Sequence, residues 1–306
     1  MKISVVLGLF LLIAKSVFGQ INMEDSTVQV IGYWDNHEKQ LYSVSLEKYK
    51  IKDSDTTSRE MYTYDLNITI TDSTATSYTI EWYYKNFKID SDNKLTQRLA
   101  SIAEDCKVVI KTTEMGAFVE VVNWKEVNEI IKKAAAKLKK EFKDVPKIDD
   151  IVKQVAGMFA SKEAIEAAAI KDIQQFYSFH GGKYKLGEEL SGQLKYANLL
   201  GGEPFDGDVT VMLDEIDTED DNALFRMWQT INSQQLTDAT YEYLKKSAAT
   251  LGVPPLAKED MKPIVNETRS GTWIHGPSGW PVYSVETKEV SSEEIVNVEE
   301  RIIEIK

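Results

Sequence analysis

The sequence predicts an α+β protein in which antiparallel β-meanders form a curved sheet covered by a helical layer. Three observations carry this. Long stretches alternate polar and apolar residues, the period of a sheet with one wet face; a central stretch switches to spacings of three and four; and the two periods come in blocks instead of alternating as βαβ units.

The elements follow in chain order. Met1-Lys2, an uncharged apolar run from Ile3 to Ala14, and the segment Lys15 to Gly19 have the pattern of a secretory signal peptide over residues 1–19, cut between Gly19 and Gln20. A membrane helix needs about 20 apolar residues, and Lys15 interrupts this run sooner. Leu41 to Ile51 reads as a strand. Tyr62, Tyr64, Leu66, Ile68 and Ile70 alternate with polar partners, turn at Asp72-Ser73-Thr74, and resume as Tyr78, Ile80, Trp82 and Tyr84, which predicts a long hairpin. Cys106 to Thr112 and Phe118 to Trp124 predict a second hairpin turned at Glu114-Met115-Gly116, within a meander of five to seven strands. Val127, Ile130, Ile131, Ala134, Leu138 and Phe142 then form a helical stripe opposite Lys132, Lys133, Lys137, Lys139 and Lys140. A second helix carries Ile148 to Phe159, and a third runs from the cap Ser161 to Gly181-Gly182.

Beyond Gly182 the strand period returns in Leu190 to Asn198, Asp208 to Ile216 and Ala223 to Ile231. A fourth helix spans Ser233 to Leu251, closed by Gly252 and Pro254-Pro255. Three more strands cover Ile264 to His275, Trp280 to Glu289 and Ile295 to Ile305. Residues 20–306 thus read as a single α+β domain, with two halves, 20–180 and 181–306, that each run meander first and helix after.

Charge and cysteine usage narrow the function. The formal net charge is −13, and loss of Lys2 and Lys15 with the leader takes it to −15, so phosphate backbones are repelled and nucleic acid is excluded as a partner. Cys106 is the only cysteine, which removes an intrachain disulfide and a lipid anchor at Gln20; its alternation with Val108 and Ile110 predicts a buried thiol. No catalytic, cofactor or metal set is assigned. His37, His180 and His275 stand apart, the acidic turn Asp214 to Asn222 lacks the calcium-loop frame, Ser45-Leu46-Glu47-Lys48 lacks companion motifs, and phosphate-cradling glycine loops are absent. The sequons Asn67-Ile68-Thr69 and Asn266-Glu267-Thr268 are short enough to arise by chance.

The most unusual composition lies in Gly271 to Pro281, where Trp273, His275 and Trp280 flank a Gly-Pro-Ser-Gly turn. Two readings stand here: an aromatic rim that binds a ligand through Trp273, His275 and Trp280, or indoles packed into the core.

Several phrases resemble the uncharacterised secreted proteins of Bacteroidetes-type bacteria: Tyr42 to Tyr49, Ile80-Glu81-Trp82, Glu120 to Val127 entering a helix, and Gly279-Trp280-Pro281 opening the last hairpin. The resemblance implies a periplasmic or exported protein and supplies no activity; at fold level a helix-covered curved sheet is similar to the periplasmic lipoprotein carriers. The expectation is a secreted or periplasmic, non-enzymatic binding or interaction protein without a transmembrane segment in its mature chain. It would hold an apolar small molecule, or an envelope protein, at an apolar cleft between the sheet and the helices of Val127 to Phe179 and Ser233 to Leu251. The alternatives are a secreted hydrolase using a carboxylate pair and a structural envelope component. N-terminal sequencing of the exported chain is expected to begin at Gln20; an exported chain that retains Met1 contradicts the leader reading.

Overall fold

The computed structural model describes residues 20–91, 93–293 and 295–306, so the segment read as a signal peptide lies outside the described residues. Its strands are β1 (Ile21–Asn22), β2 (Thr27–Gln29), β3 (Lys39–Lys52), β4 (Asp55–Ser73), β5 (Ser77–Asp90), β6 (Lys107–Thr113), β7 (Phe118–Val121), β8 (Lys183–Lys185), β9 (Glu189–Tyr196), β10 (Phe205–Asp217), β11 (Asn222–Ile231), β12 (Val265–His275), β13 (Pro281–Ser292) and β14 (Ile295–Ile305). The helices are α1 (Lys94–Ala100), α2 (Trp124–Glu141), α3 (Ile148–Met158), α4 (Lys162–Ala164), α5 (Lys171–Phe176) and α6 (Ser233–Leu251). No described helix is long and apolar enough to cross a membrane.

Eleven strands form one open antiparallel sheet in the order β7-β6-β5-β4-β3-β14-β13-β12-β11-β10-β9, and β1-β2-β8 form a small second sheet. The first meander has five strands. Every neighbour in the large sheet is also a neighbour in sequence except at one seam, where β14 pairs antiparallel with β3 from Ile295↔Lys52 to Ile305↔Tyr42.

The alternation that defines the strands also defines the core. Leu66, Ile68 and Ile70 of β4, Ile80 and Trp82 of β5, and Val108 and Ile110 of β6 all point to one buried face, with Cys106 buried just before β6. Helix α2 lays Val127, Ile131, Ala135 and Leu138 on the same side and leaves its lysines in solvent.

Two helical expectations are corrected. The third predicted helix is not continuous: Ser161 caps α4 by accepting the Ala164 N–H at 3.1 Å, a π-helical turn occupies Ile165–Ala169, and the chain breaks at Ile170 before α5. The break lets Glu166 reach the β7 edge, where it accepts the Val121 N–H at 2.7 Å, while α5 turns Asp172, Gln175 and Phe176 onto the sheet. Helix α6 has its predicted span and its Gly252 cap, yet none of its described side chains is buried, so it does not cover the sheet. Helix α1 was not anticipated. Asn93 caps it by accepting the Leu95 and Thr96 N–H groups, a signal present in the sequence but drowned by the surrounding polar residues.

Phe176 of α5 is fully buried between Tyr42 and Trp82, with ring centroids at 5.2 and 5.1 Å. Phe176→Ala is expected to cost about 3–5 kcal/mol in denaturant unfolding. Tyr243→Ala on the exposed face of α6 should stay within about 0.5 kcal/mol of the parent.

Candidate functional site

The strand registers align inward side chains into rows that cross the sheet. One row runs Tyr64 (β4), Val44 (β3), Ile303 (β14), Ser284 (β13), Thr272 (β12) and Phe225 (β11). The next runs Tyr62, Leu46, Arg301, Glu286, Ser270 and Met227, and the one after it Glu60, Lys48, Glu299, Lys288, Thr268 and Gln229. Moving four residues along every strand therefore takes the same face from a core layer, through a mixed row, to a layer of alternating charge. Opposite charges directly across neighbouring strands attract, so this row is self-consistent.

The core rows lie beneath α5. The charged rows open into a cleft of about 1220 Å³, lined on the sheet side by residues of β3, β4, β5, β9, β11, β12, β13 and β14. In a flat sheet β5 and β9 would lie about 38 Å apart, at roughly 4.8 Å per strand step. Their side chains line one cavity, so the sheet curves around it. The opposite wall is helical: Thr96, Leu99 and Ala100 of α1, Ala103, Met158 of α3, Phe159, and the π-helical segment. This cleft between sheet and helices departs from the expected one in two ways. No residue of α6 lines it, and it is not apolar throughout but amphipathic, greasy on the α1–α3 wall and ionic on the sheet.

At the floor, buried Asp172 accepts hydrogen bonds from Tyr84 Oη at 3.1 Å and Tyr64 Oη at 3.2 Å. Burial raises its pKa, and Arg301 together with the tyrosine hydroxyls only partly offsets that. Arg301 is 6% exposed and bonds Glu286 at 3.3 Å and Glu299 at 2.8 Å. Burial disfavours its cation, but Tyr64, Glu286, Asp172 and Glu299 outweigh this and hold its pKa above the usual value. The two glutamates differ. Burial leaves the Glu286 pKa raised despite Arg301 and Lys171, whereas Glu299, also desolvated, is bonded directly by Lys48 at 3.1 Å and, with Arg301 beside it, is lowered. Gln175 braces the floor by donating to Ser284 Oγ at 2.9 Å and to the Arg301 carbonyl at 3.3 Å.

Lys171 and Lys288 complete the set. Lys171 donates to the Ala167 carbonyl at 3.0 Å and to Gln174 Oε1 at 3.3 Å, and neither lysine pairs with a carboxylate of the described residues. Solvent reaches Lys171 through the mouth of the cleft, yet the low-dielectric walls lower its pKa, and Lys288 adds to that. Sequence reasoning missed all of these residues. They lie on six different elements, and only strand register brings them together.

Trp273, His275 and Trp280 do not come together at this cleft. Trp280 is 2% exposed, packs at a tilt against Trp34 with centroids 4.9 Å apart, and donates from Nε1 to Glu38 at 2.6 Å. Trp273 and His275 are half-buried on the opposite face of β12 from Thr272 and Ile274, and His275 bonds Ser278 Oγ at 2.8 Å. The Gly-Pro-Ser-Gly turn docks on the chain near Ile31, where a Cβ on Gly279 (φ +71°) would sit 2.0 Å from the Ile31 carbonyl oxygen. His180 is buried against Trp34 and Tyr177 and bonds the Gly279 carbonyl at 2.8 Å. Asn266 of the second sequon is 7% exposed on the cleft face, and Asn67 of the first is half-buried in β4. No group of His, Cys, Asp and Glu among the described residues could hold a metal ion.

Fold and cleft together define an open antiparallel sheet wrapped around an amphipathic cavity. No family model matches the chain, and no curated protein matches it. Among solved structures, a Bacteroides fragilis protein whose name reads "putative exported protein with YmcC-like fold" aligns over 90% of this chain and 99% of its own, at 8% identity and a TM-score of 0.26. The MucA/MucB complex of Pseudomonas aeruginosa aligns over 87% and 89%, at 9% identity and a TM-score of 0.13. Similarities of this size identify neither family nor activity.

Burial pushes the His180 pKa down from 6.5 to about 4. A lowered histidine binds its proton less well folded than unfolded, so its stabilisation is full above pH 6.5 and is lost as pH falls toward 4. Asp172 and Glu286, both raised, act with opposite sign, favouring the fold at low pH and losing that contribution as pH rises through their folded values. His180→Gln is expected to flatten the fall in unfolding free energy between pH 6.5 and 4, a term of at most about 3 kcal/mol, in urea titrations at stepped pH.

Proposed function

We propose that the protein is an extracytoplasmic, non-enzymatic binding protein that holds an amphipathic small molecule in the cleft between its sheet and α1–α3. One observation carries this reading: a single large cavity has a greasy helical wall facing a charged sheet wall. A molecule with an apolar body and a charged or polar head matches both walls, whereas a wholly apolar one would leave the ionic row desolvated and unmatched. Five cations and six acids line the cavity, a near balance on a chain of net charge −13, so an anionic head is not turned away there. Lys171 and Lys288, unpaired with carboxylates of the described residues, are the groups that would meet such a head. The leader pattern at residues 1–19 agrees with a secreted or periplasmic location.

A second reading has its own observation. Asp172 and Glu286 both line the cleft with raised pKa values, as a carboxylate-pair hydrolase requires of its acid. Against it, each Asp172 oxygen already accepts a tyrosine hydroxyl, and Glu286 is tied to Arg301.

Titration with 8-anilinonaphthalene-1-sulfonate, an aromatic body with an anionic head, is expected to saturate at one site per chain. Ala100→Trp and Ala167→Trp, which fill the helical wall, should weaken it at least about tenfold with unchanged circular dichroism. Unsaturable binding, or binding indifferent to both variants, overturns the assignment. Turnover of chromogenic glycosides that Glu286→Gln abolishes would establish the hydrolase instead.

A further inference from the structure

The two free edges of the large sheet are built differently. Strand β7 is four residues long, and the Glu166 carboxylate accepts the Val121 N–H at 2.7 Å, closing part of that edge. Strand β9 is eight residues long, among the described residues its backbone pairs only with β10, and every residue from Glu189 to Lys195 is exposed. It contains no proline, one lysine, and the apolar Leu190 and Leu194 at 43% and 45% exposure. A long open edge with outward leucines invites a further strand, because alternate N–H and C=O groups along it lack partners.

The sequence of β9 specifies which strand. In an antiparallel pairing, residues directly opposite share a face, so a strand pairing with its own copy centres on a residue. Centred on Gly192, the pairing sets Leu190 against Leu194 on the cleft face and Glu189 against Lys195 on the outer face, and the two-fold axis makes each pair occur twice. Shifting the centre to Ser191 or Gln193 destroys both matches: Glu189 then meets Gln193 or Ala197. Gly192 itself offers no side chain at the axis, where two copies approach most closely.

We propose that β9 is a homodimerisation edge, joining two copies through an antiparallel β9–β9 pairing centred on Gly192 into one continuous sheet. Tyr196 shares the cleft face with Leu190, Gly192 and Leu194 and lines the cleft, so the partner strand would extend the wall of the cleft at its β9 end, with Glu188 of the second copy opposite Tyr196. This stands apart from the ligand reading, since it rests on edge geometry and register.

Three variants test it in sedimentation and cross-linking. Glu189→Lys and Lys195→Glu each set like charges across the axis, and each is expected to raise the dimer dissociation constant at least about tenfold. The double variant, and an equimolar mixture of the two single variants, restore both opposite-charge pairs and should return the dimer. Gly192→Cys places its sulfur against the same sulfur of the partner, with Cα atoms about 5 Å apart, inside disulfide reach. A Cβ there meets Val209 at an ordinary 3.9 Å, and native Cys106 is buried, so oxidation should yield a single cross-linked dimer. Glu189→Cys, far from its own copy in this register, should not cross-link. A monomer at all concentrations up to millimolar, or a dimer insensitive to the charge exchange and not trapped through position 192, overturns the proposal.

Discussion

The pairing of β14 with β3 governs the molecule. It joins the first strand of one meander to the last strand of the other, from Ile295↔Lys52 to Ile305↔Tyr42, across some of the longest sequence separations in the chain. Without this seam there are two smaller sheets with four edges; with it there is one sheet that curls around a cavity. The seam also fixes chemistry. It places Arg301 beside Leu46 and Glu299 beside Lys48, and thereby completes the alternating row Glu60, Lys48, Glu299, Lys288. A slip of one residue would turn Arg301 to the outer face and Ile302 inward, removing the counter-charge of Glu286 and Glu299. Closing so long a loop is entropically costly, so the pairing must be held by the contacts it makes along its full length rather than by chain connectivity.

Helix α5 fixes the division between core and cleft. Phe176 and Tyr177 extend an aromatic cluster through Tyr42, Trp82, Trp34, Trp280 and His180, all with ring centroids within 6.2 Å of a neighbour. One turn earlier, Asp172 sits where the cluster gives way to the charged rows and ties Tyr64 and Tyr84 in place. The π-helical turn before α5 makes this seating compatible with Glu166 reaching β7. A straight α-helix over the same residues would rotate one of these carboxylates away from its partner.

Much of the fold was legible from local pattern. Alternation in Tyr62 to Ile70 and the stripe from Val127 to Leu138 reflect burial of one side of an isolated element, which any residue senses through its own neighbours in sequence. Helix α6 shows the limit. Ser233 to Leu251 has the right cap, propensity and stop, and those fix that a helix forms; they do not fix what it packs on, and it packs on little. The candidate site was hidden for the same reason. Leu46, Lys48, Glu286, Lys288, Glu299 and Arg301 each look like an ordinary alternating strand position, and the aromatic turn at Trp273 to Trp280 drew attention by composition while its buried indole serves packing.

The amino-acid sequence alone thus determined the type and order of the long strands and of α2, α3 and α6, the antiparallel character of the hairpins, the acidic charge and the lone buried thiol, because these follow from periods of two and 3.6 residues, turn chemistry and counting. Tertiary structure alone decided that the two meanders fuse, that the third helix breaks at Ile170, and that charges scattered over more than 250 residues meet in one cleft. Strand register between distant segments is a collective choice of the whole sheet, and no stretch of sequence read in isolation contains it.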